Sequence, residues 1–328
     1  FIGGIFQIWI GKMLKPIRHM FPPLVTGIVV LMIGISLLKV GFKYAGGGVW
    51  LMNNKPEIFA NWHHLTIAGT VLIVALLTNL KGRGMVSAAS ILIGIIAGFI
   101  VAAILGEVRW AKIAAAGWFA FPMPLQYGID FVWGAVILML FMSIVTTIET
   151  IGDISATTMG GANREATDKE LSGGIMADGV GTAFASIFNA MPNTSYSQNA
   201  GLVAFTGVIS RHVGTVAGVI LILLGLFPKL GGVIAAMPDS VIGGAAIIMF
   251  GLIAGAGIKL ISKSEMSQRN ILILALSLSF GIGLYAFPEF VAHVPDLGIK
   301  LGLLLTTGLI PAGLLAFILN ATLPKGKK

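Results

Sequence analysis

Apolar residues in this chain run in blocks rather than in alternation. The blocks lie near residues 1–14, 22–40, 65–80, 85–105, 131–151, 172–191, 198–210, 213–227, 239–258, 270–287 and 301–320, with short polar segments between them. A helix crosses a bilayer with about 20 apolar residues, and a membrane strand needs only about 9–11. Most of the blocks approach the helical length and none shows the two-residue period of a barrel strand. Only helices and closed barrels satisfy their backbone in lipid. The pattern therefore predicts an all-α polytopic membrane protein. The block at 198–210 is too short to cross alone and predicts a broken span.

Composition agrees. Of 328 residues, 56% are hydrophobic and 10% charged, against about 25% charged in soluble domains. The net charge of +8 does not point to nucleic acid, because the Lys and Arg stand singly between apolar blocks. Alternating the loops puts fourteen of the 21 basic residues on one side. The positive-inside rule makes that side cytoplasmic, the C-terminus with it, in a plasma (inner) membrane. Trp50, Trp62, Trp110 and Trp118 then fall in the two long outside loops, where interfacial anchors sit. With no Cys, disulfides, thiolate metal sites and Cys nucleophiles are excluded. No GxxxxGK[ST] or HExxH motif occurs, and no nucleophile–base or metal constellation, so neither an enzyme nor a cofactor is expected.

The segment PPLVTGIVVLMIG at 22–34 is echoed by PDSVIGGAAIIMFG at 238–251. In both, Val follows Pro by three residues and Gly follows Val by two. The copies are the second and ninth spans of the count, seven apart, so they cross the membrane in opposite directions. Inverted repeats of this kind mark secondary carriers. The chain opens at Phe1 inside an apolar block, and the first repeat is shorter than the second. The expectation is that N-terminal spans are missing from this chain and that these residues alone do not transport.

Acidic residues within spans are rare and usually functional. Glu149 and Asp153 lie four apart in TTIETIGDISATT, on one helical face. Asp178 lies early in the following span. Pro192 ends that span, and NTSYS after it leans towards extended structure. Ser197 or Asn199 can cap a half-helix starting at NAGLVAF. Non-helical backbone at membrane depth is tolerated only when it is buried in protein or lines a cavity. Its free N–H groups would then face a ligand. Gln198 offers donor and acceptor together and Glu149 two acceptor oxygens. Such a pair suits a flat ligand whose edge alternates N–H and C=O, as in a nucleobase.

QNAGLVAFTG at 198–207, with ETIGD at 149–153, resembles the two signatures of the nucleobase–ascorbate transporter family, and the resemblance covers the whole chain. It implies fourteen spans in two inverted repeats of seven, with core and gate domains and a short strand in each broken helix. On that pattern the core holds residues 1–20 and 131–228, and the gate holds 21–130 and 229–328. The resemblance also implies proton-coupled nucleobase uptake by a homodimer. Glu149 and Gln198 would hold the base, and Asn199 and Thr206 would be the motif's polar residues. Tyr196 and Ser197 would supply backbone, and Asp153 and Asp178, with Glu149, would serve proton coupling. An acid at 153 resembles the xanthine and urate branch. Ala200, where many xanthine carriers have Asn, leaves a uracil carrier as the alternative. An anion transporter or channel on a related fold is the rival class, and it would want a cationic side chain beside the half-helix.

Overall fold

The computed structural model describes residues 1–14, 22–196, 199, 203, 207–292 and 305–324. Its principal helices are α1 (Ile2–Lys12), α2 (Pro23–Ala45), α3 (Trp62–Lys81), α4 (Ser90–Ile104), α5 (Trp133–Ala162), α6 (Asp168–Ile187), α7 (Arg211–Gly225), α8 (Pro228–Ala236), α9 (Asp239–Ile261), α10 (Gln268–Ala286) and α11 (Leu309–Thr322). Five of them, α2, α3, α5, α9 and α10, are long and apolar enough to cross a membrane. A sixth candidate is the pair α7 and α8, bent by 79°. The bend follows from Pro228, which opens α8 and pushes Phe227 out of helical geometry.

Two compact units divide the chain. One holds Phe1–Ser36, Met123–Val208 and Ile253–Lys328, the other Leu37–Pro122 and Ile209–Leu252. In the first unit α1 packs on α5 and α6, and α10 packs on α11. Leu14, Leu171 and Ile175 close one core there, and Ile28, Met32, Ile273 and Ala316 another. In the second unit α3 packs on α4 around Ile67, Val71, Ala102 and Val241. Lys229 there donates to the carbonyls of Ile113 at 2.8 Å and Ala116 at 2.9 Å, ending the short helix Trp110–Ala115, and lies 5.5 Å from the Trp118 ring centre.

Lipid tails are as apolar as Leu, so burying apolar side chains does little to hold membrane helices together. Close backbone approach and hydrogen bonds do more. Helices α2 and α9 show the first. A methyl group on Gly34 would lie 2.4 Å from Ala254 N, and one on Gly257 2.4 Å from Leu31 N. In the second unit a methyl on Gly243 would lie 2.0 Å from Ala45 N. Within each unit, every step forward on α2 meets a step back on α9, so the two run antiparallel. In the register that sets Pro22 against Pro238, Gly27 corresponds to Gly243 and Gly41 to Gly257. Under the same correspondence the contacts Gly27–Ile261 and Gly41–Ile247 exchange with Gly243–Ala45 and Gly257–Leu31.

Three boundaries differ from the pattern-based reading. Helix α5 continues past residue 151 to Ala162, where Asn163 adopts the left-handed conformation and stops it. Nothing before Asn163 breaks the helix, and Ser155 and Thr158 donate back to the carbonyls of Ile151 and Ile154. Helix α6 begins at Asp168, because Thr167 and Glu170 form a reciprocal capping box. The third difference is the short strand expected in the broken span. No strand occurs among the described residues, and residues 189–196 follow an irregular path.

Candidate functional site

The side chains of residues 193–195 explain that irregular path. In a strand, neighbouring side chains point to opposite faces. Here Thr194 Oγ1 donates to Glu149 Oε2 at 3.1 Å, and the next residue, Ser195, donates through Oγ to Asp153 Oδ2. Both bonds reach α5, to carboxylates one helical turn apart. Asn193 turns instead to α6, where its Nδ2 donates to Asp178 Oδ1 at 2.7 Å. Three consecutive residues are thus tied to three different carboxylates, a pattern that a two-residue period cannot make.

Asp178 is the most enclosed of the three acids, only 8% exposed. Its Oδ2 accepts from Gln7 Nε2 and from Thr150 Oγ1, each at 2.9 Å. Asn193, its third donor, is held in turn by Thr182 Oγ1, which donates to Asn193 Oδ1 at 2.9 Å. The carboxylate therefore joins α1, α5 and α6 to the segment after α6. Interhelical hydrogen bonds in a membrane contribute up to about 2 kcal/mol each, and this network gathers three hydrogen bonds on one carboxyl group. Its reach depends on Gly4 and Gly179: a methyl on Gly4 would fall 2.6 Å from both Ala183 N and Gly179 O. The two small residues let α1 lie close enough for Gln7 to span the gap.

Glu149, Asp153 and Asp178 all bond to one segment, residues 193–195. With α5 extended to Ala162, Glu149 and Asp153 sit within the helix and not at its end. Thr146 and Thr147, which flank Glu149 in sequence, donate back to the carbonyls of Met142 and Ser143. Tyr196 is half-exposed, and its carbonyl accepts from Asn199 N at 2.9 Å. Ser197, Gln198 and Thr206 lie outside the described residues. Sequence reasoning missed Gln7, Thr150, Asn193, Thr194 and Ser195 as partners of the acids. Gln7 had a usable signal, since it is the lone amide or charge in FIGGIFQIWI. A cavity of about 270 Å³ lies among α1, α2, α5 and α11, lined by Trp9, Val29, Ile148 and Phe317 among others. Thr147 brings the single hydroxyl to that lining, and this hydroxyl is engaged by its own helix.

The apolar helices mark a multi-pass membrane protein, and the family and relatives it matches are permeases, transporters and not enzymes. The sequence model of the permease family matches residues 1–290, and the chain belongs to that family, the nucleobase–ascorbate transporters. It is 38% identical over 322 residues to a putative purine permease of Clostridium perfringens, covering 98% of this chain and 69% of that protein. It is 35% identical over 331 residues to a xanthine permease of Escherichia coli, covering 100% of this chain and 70% of the relative. A uric acid permease of Bacillus subtilis is 34% identical over 320 residues, covering 97% and 70%.

Proposed function

We propose that the protein is a secondary active carrier that takes up a purine nucleobase, xanthine or urate, together with a proton. The observation that carries this reading is the triple tie of residues 193–195 to Asp178, Glu149 and Asp153. That segment leads directly into QNAG at 198–201. A proton gained or lost at any of the three carboxylates changes a bond to a side chain of the segment that leads into the motif. Glu149 and Gln198 hold the base's polar edge, with Asn199 and Thr206 as the motif's remaining polar groups and Tyr196 and Ser197 as backbone. Asp153 and Asp178 serve the proton. The names of the relatives, a xanthine and a uric acid permease, support the substrate class.

The same proposal includes an inverted-repeat architecture, a core moving against a gate, in a homodimer of the plasma membrane with its C-terminus cytoplasmic. The sequence echo between residues 22–34 and 238–251 supports the repeat. The test is uptake of radiolabelled xanthine and urate by cells without purine carriers of their own, expressing the protein from its complete gene. Uptake of either base that disappears in Glu149→Gln supports the reading. A well-expressed protein that moves neither base overturns the substrate assignment.

A further inference from the structure

The segment from Met123 to Trp133 reads MPLQYGIDFVW, with Asp130 its one charge. It forms neither helix nor strand before α5 starts. Its apolar side chains stand clear of the protein: Tyr127 is 83% exposed, Ile129 81% and Trp133 69%. Two helix ends of the same unit set its level. Trp133 opens α5, a helix long and apolar enough to cross a membrane, and the apolar run of that helix begins here, so the residues just before it lie towards one end of the span. Farther back, Leu125 N donates to Ile187 O at 2.8 Å and Asn189 Nδ2 donates to Met123 O at 3.2 Å, which ties the segment to the C-terminal end of α6.

Neither bulk phase suits this stretch. Water would meet the exposed side chains of Met123, Tyr127, Ile129, Phe131, Val132 and Trp133. Hydrocarbon would meet main-chain amides such as those of Gln126, Tyr127 and Ile129, which find no acceptor among the described residues. Unsatisfied backbone is not tolerated against lipid tails. The headgroup–acyl boundary satisfies both demands, since it hydrates the backbone and accepts amphipathic rings. We propose that residues 123–133 form an interfacial strap seated in the bilayer's headgroup–acyl boundary. Tyr127, Ile129, Phe131 and Trp133 face the acyl side, and the backbone faces the hydrated headgroups.

These 328 residues contain no cysteine, so single-cysteine variants at positions 125 to 132, in a protein whose other positions carry none, hold one spin label each without background. The full-length protein would be reconstituted into phosphatidylcholine vesicles, and label collisions with oxygen and with a neutral nickel chelate compared. Oxygen collisions exceeding nickel collisions several-fold at 127, 129 and 131, with the reverse at 126, 128 and 130, are the expected result. Nickel access at every position would overturn the proposal in favour of a solvated loop. Shielding from both reagents would overturn it in favour of a protein cover, a second copy or another part of the chain. A variant that elutes as an aggregate is replaced by the position two residues away, so that each face keeps a readable label.

Discussion

Asn193 holds Asp178 through a 2.7 Å bond from its side-chain amide, and with it fixes where the chain turns after α6. The same carboxylate accepts from α1 and α5. The irregular segment is therefore positioned by side chains of the helices around it and not by a ladder.

Removing that acceptor should loosen the whole cluster. Asp178→Asn keeps the volume but turns one oxygen into a donor facing other donors. The expected loss is up to about 2 kcal/mol of stability for each interhelical hydrogen bond not replaced. Thermal unfolding of the detergent-solubilised variant would show it, and a transition at the wild-type temperature would contradict the network. Gln7→Leu, which removes one donor of three, should lie between the two proteins.

Transport should separate Glu149 from its hydroxyl partner. Glu149→Gln is expected to abolish nucleobase uptake. Thr194→Val leaves the carboxylate in place and removes one donor worth about 1 kcal/mol. Its uptake should fall by less than about tenfold, and an equal loss in both variants would mean that Thr194 itself contacts substrate.

Substitutions at the α2–α9 contacts should follow the clearances at each glycine. Gly243→Ala places a methyl 2.0 Å from Ala45 N, whereas Gly41→Ala meets its nearest neighbour, Ile247, at 3.2 Å. Overpacking typically costs about 1–3 kcal/mol. The first variant should reach or exceed that range and the second fall near its lower end, as read from thermal stability in detergent. The reverse order would dispose of the close packing described here.

One pH effect concerns the loop before α6. The Arg164 guanidinium donates to Glu170, and the main chain and hydroxyl of Thr167 add two more bonds, so the Glu170 carboxyl titrates well below the usual glutamate range. A carboxyl whose folded value is depressed stabilises above its unfolded value, and the effect is lost as pH falls towards the folded one. Protection from hydrogen exchange at the start of α6, normalised to the intrinsic rate at each pH, should therefore hold through the ordinary glutamate range and fall only under stronger acid. Glu170→Gln should lower that protection at neutral pH and leave it nearly independent of pH.

Much of this architecture was legible in the residue pattern. The apolar blocks located the long helices, because a 20-residue run with few charges has little alternative to a helix in lipid. The four-residue spacing of Glu149 and Asp153 placed both on one face, and both bond to the same segment. Boundaries were less legible. The stop of α5 at Asn163 is a left-handed residue, and the start of α6 is a capping box, written as Thr167 and Glu170 but embedded in a polar run that read as loop. The strand implied by family resemblance did not form among the described residues. Period and propensity along NTSYS say nothing about carboxylates waiting on two other helices. Least legible of all was the Gln7–Asp178 bond, which depends on a backbone approach that only Gly4 and Gly179 together permit.

That bond also has a schedule. Gln7 and Asp178 stand 171 residues apart in the chain, and ribosomes add about 5–20 residues per second. During synthesis α1 therefore waits roughly ten to thirty seconds with a buried amide still unmatched. Insertion of α6 supplies its acceptor, so the acidic cluster is assembled late, and a helix that enters early must be held in the membrane by other means until the partner arrives.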